Sequence, residues 1–274
     1  MQEPEYTEPL FQAECLNDIF MRHRPPIKNL FPQIFGEFEA KSIVSVTGPS
    51  ASGKSMFLLE LMAQTITSDN SQEIEILLFD IDHQFNIFKF IDVCKKFRGA
   101  ESEGEDENDY IHKLINRVHV TTIKNQFTTA FQMSELAFKL KENKKISLIL
   151  FDSLGSFYYE DARKKLAGRA PTSKDGLMLS YLTRLKVMAD RFGVSFVYSK
   201  PIFMETKRDE ITTHQISLAK KSLKMFILQT TRHGETKKLL FTINETGIDI
   251  LREADSDSEG AVESQSNKSM VDDQ

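Results

Sequence analysis

The sequence predicts an α/β fold: a mostly parallel sheet flanked by helices, with antiparallel strands at one edge. Two patterns predict it. From about residue 37 to residue 200, short apolar strands alternate with amphipathic helices, which argues for parallel strands covered on both faces. Near the end, "LKMFILQTT", "RHGE" and "KKLLFTI" read as a hairpin, followed by "GIDIL". The chain has 274 residues, enough for one good-sized domain with a sizeable core.

The elements follow in order. "KSIVSVT" (41–47) reads as a buried strand, and "KSMFLLELMAQTI" (54–66) as a helix that starts at a glycine-containing loop. "EIEILLFD" (73–80) is a strand. "QFNIFKFIDVCKKF" (84–97) is a helix, with apolar residues at spacings of three and four. "RVHVTT" (117–122) is a strand and 126–142 a helix. "ISLILFD" (146–152) is the most apolar strand. "KDGLMLSYLTRLKVMADRF" (174–192) is a helix ended by Gly193, and "VSFVYS" (194–199) is the next strand. A polar loop is expected between that strand and the hairpin.

Three regions frame this core. Residues 1–36 form an N-terminal arm or linker, where "RPPIKNLFP" breaks any long helix. The main body is expected over 37–252, with an exposed acidic insert at 99–109. The last residues, 253–274, form an acidic tail with little apolar content, expected to be disordered. Net charge is −5, but "ESEGEDEND" (101–109) and the tail together carry −12, which leaves +7 on the remainder. A mildly basic body is compatible with a polyanionic partner. No run approaches the length of a membrane span, and "MQEPEYTEPLFQAE" lacks the basic and apolar regions of a secretory signal. Cys15 and Cys94 lie far apart without metal-ligand spacing, so inert thiols in a reduced compartment are expected.

The chemistry concentrates in "VTGPSASGKS" (46–55), which fits G-x-x-x-x-G-K-[ST] between a strand and a helix. Gly48, Pro49, Ser50, Ala51, Ser52, Gly53, Lys54 and Ser55 are the expected nucleotide-binding residues. The glycines let the backbone turn N–H groups toward phosphate, and the following helix adds its positive end. Lys54 offers a charge for the β/γ-phosphates, and the Ser55 hydroxyl is a ligand for Mg²⁺. Asp152, at the end of "SLILFD", stands where a carboxylate can hold Mg²⁺ directly or through water. In "LLFDIDHQF", Asp82 is a candidate base to position an attacking water. A turn role for Asp80 and Asp82 stays open beside it.

The order of loop, "LLFDID", "LILFDSLGSFY", "GRAP", "MADRFGV" and "SFVYS" resembles the RecA-like recombinase family, in its eukaryotic recombination-paralogue branch. The resemblance covers roughly 36–251, and the N-terminal helical domain of full recombinases has no counterpart in this chain. It implies a RecA-like ATPase core with ATP and Mg²⁺ as cofactors and a nuclear role in homologous-recombination DNA repair. It also implies a hetero-complex with other paralogues and the recombinase, acting on single-stranded or branched DNA. Asp82 falls where active recombinases place a catalytic glutamate, so its carboxylate is displaced by about 1.5 Å, and misplacements of that size are costly. Ser199, Lys200 and Pro201 stand where recombinases carry Thr-Asn-Gln. Both departures imply ATP binding with weak or absent hydrolysis.

The resemblance also points to two DNA-contacting loops. The first carries Arg163, Lys164, Lys165, Arg169 and Lys174; the second, about 202–221 with Lys224 beyond it, carries Lys207, Arg208, Lys220 and Lys221. Such loops give salt-dependent phosphate contact without reading sequence. "FTTA" (127–130) has the form recombinases use for docking, but Phe127, Ala130, Phe131, Ala137 and Phe138 fall on one helical stripe, so core packing is expected. A docking element is expected in the arm instead, at "EPLFQAE" or "NLFPQIF". Two alternatives remain: a scaffold subunit that binds no nucleotide, and a small-molecule phosphotransferase with "ARKKLAGRAP" as a lid.

Overall fold

The computed structural model describes residues 23–28, 30–68, 73–98, 106–158, 173–204, 211–232 and 234–253. Among them the chain folds as an α/β domain around a nine-stranded sheet, in the order β3-β2-β4-β5-β1-β6-β7-β8-β9. The elements are α1 (Pro32–Phe35), β1 (Ile43–Thr47), α2 (Lys54–Thr67), β2 (Glu75–Asp80), α3 (Ile87–Lys96) and α4 (Glu107–Ile115). Then come β3 (Val118–Thr122), α5 (Gln126–Glu142), β4 (Ile146–Asp152), α6 (Lys174–Phe192) and β5 (Ser195–Ser199). A short 3₁₀ turn, Ile202–Met204, leads to β6 (His214–Lys220), β7 (Met225–Arg232), β8 (Glu235–Asn244) and β9 (Gly247–Glu253). Strands β1 to β6 pair in parallel, and β6 to β9 pair antiparallel. The sheet is therefore mixed, with its antiparallel strands at one edge, as the sequence predicts.

Local chemistry sets the helix boundaries. The Asn86 side chain accepts from Phe88 N and Lys89 N, the Asn125 side chain from Thr128 N, and the Ser173 side chain from Gly176 N. Each satisfies an N–H that has no partner within its helix. Gly193, at φ 70°, closes α6 in the left-handed conformation that favours glycine. These caps explain why the α5 and α6 boundaries read from sequence match those observed.

The central strands are buried on both faces, with every residue of β1, β4 and β5 out of solvent. One face packs against α2, α3 and α4, and against Leu30, Phe31, Ile34 and Phe35. The other packs against α5 and α6, where Phe79, Phe151 and Phe196 stack across β2, β4 and β5 at 4.7 and 6.5 Å between rings.

Four expectations need correction. First, 214–220 is a strand, not part of a loop. His214, Ile216 and Leu218 are buried while Gln215, Ser217 and Ala219 face out, and β6 joins β1 on its open side. Polar outward residues hid a period of two. Second, α5 does not bury its phenylalanines. Phe127, Phe131 and Phe138 are 81, 52 and 60 % exposed, and the packed stripe is Thr129, Met133, Leu136 and Leu140. The true face lies on the far side of the helix, about 170° around from the brighter aromatic signal. Third, the acidic insert is bounded more tightly at its end: Glu107, Asn108 and Asp109, still exposed, form the first turn of α4, which buries Tyr110, Ile111 and Leu114, while 99–105 lie outside the described residues. Acids there favour the positive helix end. Fourth, the "NLFPQIF" aromatics pack into their own core and are not free to dock elsewhere. "EPLFQAE" and the tail beyond Glu253 lie outside the described residues.

Candidate functional site

The site forms where β1, β2, β4 and β5 end at one edge of the sheet. Parallel pairing puts Asp80 opposite Asp152 on β2 and β4, and β1 delivers the loop that begins at Gly48. In that loop a Cβ on Gly48 would run into the Leu218 carbonyl of β6, so only glycine fits. Ala51 takes φ 58°, and Gly53 at φ 93° opens α2. The Lys54 ammonium turns back to donate to the carbonyls of Gly48 and Pro49, at 2.9 and 2.7 Å. Burial lowers its pKa, while the charges of Asp152 and Asp82 oppose that shift.

Asp152 is buried at the end of β4. Its Oδ1 accepts from the Ser199 hydroxyl at 2.6 Å, and the Ser55 side chain also bonds it. Burial raises its pKa, and the bonds from Ser199 and Ser55 counter only part of this. Asp80, also buried, accepts from the backbone N–H groups of Gln84 and Phe85 at 3.0 and 3.3 Å, and so shapes the turn after β2. Asp82 is exposed, and its Oδ1 accepts from the Ser156 hydroxyl at 2.6 Å. Thus the turn reading holds for Asp80, while Asp82 points to the loop after β4.

The structure brings Lys54, Ser55, Asp82 and Asp152 into one electrostatic neighbourhood. Two hydroxyls there, Ser52 Oγ and Ser153 Oγ, are buried with no hydrogen-bond partner among the described residues. Buried polar atoms of this kind are rare and fit a bound polar group. Among the described residues no cluster of three His, Cys, Asp or Glu could hold a metal. Ser55 and Asp152 make a two-ligand set of hard oxygen donors, which suits Mg²⁺ because that ion keeps several waters and takes phosphate oxygens. Sequence reasoning placed Ser52 in the loop but gave no site role to Ser153 and Ser156. Ser199 was noted only by its place in the chain. The signal for it was positional: β4 and β5 are neighbours, so their last residues meet.

The basic candidates divide. Lys220 ends β6, Lys221 follows it, and both are exposed. Arg163, Lys164, Lys165, Arg169, Lys207 and Arg208 lie outside the described residues. Lys200 is fully buried. Among the described residues no helix is long and apolar enough to cross a membrane. Comparison of the chain with models of known protein families and with curated proteins gives no match.

Proposed function

We propose that this chain is a RecA-like, ATP-binding recombination paralogue. It holds Mg²⁺-ATP with weak or absent hydrolysis, and it works in the nucleus in homologous-recombination DNA repair. The observation that carries this is the meeting of the Lys54–Ser55 pair with buried Asp152 at the ends of β1 and β4. The Lys54 ammonium, now held by the carbonyls of Gly48 and Pro49, would turn to a phosphate, and Ser55 and Asp152 would hold the metal. Bound Mg²⁺ would neutralise phosphate charge there. Weak turnover is supported by Asp82, which is short by one methylene and engaged with Ser156, and by Pro201, which has no polar side chain to sense the nucleotide.

Partners follow from surface chemistry. The exposed Phe127, Phe131 and Phe138 of α5 suit a protein neighbour, in this reading another paralogue or the recombinase. Lys220 and Lys221 suit single-stranded or branched DNA. The test is a titration of fluorescent ATP with Mg²⁺ on the full chain and on Lys54→Ala. Saturable binding in wild type, lost in the variant, is the expected result. Equal binding by both would sink the assignment of the loop.

A further inference from the structure

The turn between β6 and β7 combines three properties. It is closed: Lys221 N and Ser222 N both donate to the Met225 carbonyl at 2.9 and 3.0 Å, and Met225 N donates to Ser222 Oγ at 3.3 Å. It carries an apolar apex, because Leu223 is 87 % exposed, more than any other large apolar residue described. It is collared by charge, because Lys220, Lys221 and Lys224 are all exposed. No Asp or Glu occurs between Ile211 and Gly234 to neutralise them. Among the described residues none of these ammonium groups is in an ion pair.

A single exposed leucine is ordinary. Its placement here is not. β6 runs parallel to β1, with Ser217 opposite Thr47, so the turn leaves the sheet at the same edge as the phosphate loop. The Leu218 carbonyl that backs Gly48 lies five residues before the apex, on the same strand. A rigid, lysine-collared apolar tip beside that loop matches a polyanion that also offers flat apolar surface between its charges. Single-stranded nucleic acid has that chemistry, with phosphates for the lysines and base faces for the leucine. A bilayer fits less well, since one leucine buries too little apolar surface to anchor a domain even with basic neighbours.

We propose that this tip is a sequence-independent contact for single-stranded nucleic acid. Leu223 packs against the bases, and Lys220, Lys221 and Lys224 hold the flanking phosphates. The proposal rests on the nucleic-acid reading above and adds an apolar element to it. Phosphate contacts and packing on base faces read no base edge, so no base preference is expected.

The chain contains no tryptophan, so Leu223→Trp places a single indole at the tip. The full-length variant is titrated with oligo(dT), following indole emission and, with labelled oligonucleotide, anisotropy. The expected result is indole quenching that tracks the anisotropy curve. Leu223→Ser is expected to bind on the order of tenfold more weakly. Lys221→Glu with Lys224→Glu is expected to lower the salt slope by about 1.4, for two lost phosphate contacts. All variants should melt with wild type, because the substituted side chains are exposed. If wild type binds while the indole stays silent and the variants bind unchanged, the tip proposal is overturned and the nucleic-acid reading survives. If wild type binds no oligonucleotide with or without Mg²⁺-ATP, both fall. An indole that responds to phosphatidylserine vesicles but not to DNA overturns the proposal in favour of a lipid contact.

Discussion

Arg24 shows how much one residue can organise. It is buried, and its guanidinium donates to the carbonyls of Phe192, Asn143, Ile146 and Leu140, at 2.9, 2.7, 3.0 and 2.5 Å. Those carbonyls lie at the C-terminal ends of α5 and α6 and at the start of β4, where acceptors lack partners and a cation is favoured. Burial lowers the Arg24 pKa to about 10, so the charge persists at neutral pH. Ser147 Oγ donates to the Pro25 carbonyl at 3.0 Å and fixes the same segment. Replacing Arg24 with Met should cost about 3–5 kcal/mol in urea unfolding, because several carbonyls are left buried and unmet. Arg24→Lys should recover little, since an ammonium on a flexible stem cannot reach all four acceptors. Nothing in "RHRPP" announces this role. Lys54 and Ser55 were legible because the motif that marks them fits within ten residues; the partners of Arg24 are more than a hundred positions away.

Between elements, the turn joining β8 to β9 is clamped by two helices. From α2, Glu60 is fully buried; its Oε2 accepts from Ile248 N at 3.1 Å and its Oε1 from the Lys96 ammonium at 3.1 Å. Lys96, on α3, also reaches Asp249 at 2.9 Å and the Ile248 carbonyl at 2.5 Å. Gly247, at φ +129°, has no room for a Cβ because Glu60 fills it. Burial raises the Glu60 pKa above 4.5, while Lys96 opposes the shift. The folded state therefore holds this proton more tightly than the unfolded chain. The stability it gives is full below the unfolded value near 4.5 and fades as pH rises through the raised native value. Glu60→Gln, whose amide does not titrate, should remove that slope. The check is the wild-type-minus-variant difference in unfolding free energy from pH about 5 to pH about 8, which should fall with rising pH. A flat difference would mean Glu60 titrates as it does unfolded. Helix ends at this scale were legible from Asn125, Ser173 and Gly193. Strand β6 was not, because a strand with one wet face and only three buried side chains reads as a polar loop, and the clamp joins segments that no short window contains.

For the whole molecule, the parallel centre was the most legible part, since apolar runs such as "SLILF" have no other stable place than between two helical layers. The strand order was not, because β1 lies between β5 and β6 and no local pattern encodes that pairing. Binding at the edge of such a sheet should stabilise all of it. With Mg²⁺-ATP at a hundred times its dissociation constant, unfolding should cost about 2.7 kcal/mol more, read as a raised melting temperature in wild type and no rise in Lys54→Ala. A matching rise in the variant would place the ligand elsewhere. The position of β1 has one more consequence, in time. During synthesis Ile43 emerges before its partners: Phe196 on one side and the strand from His214 on the other come about 150 positions later. At roughly 5–20 residues per second that is an interval of about 8–30 s. Throughout it the strand that bears the Gly48–Ser55 loop has both edges unpaired. On the ribosome the candidate site is thus among the last parts of the sheet to close, and any shelter the nascent chain receives must cover that interval.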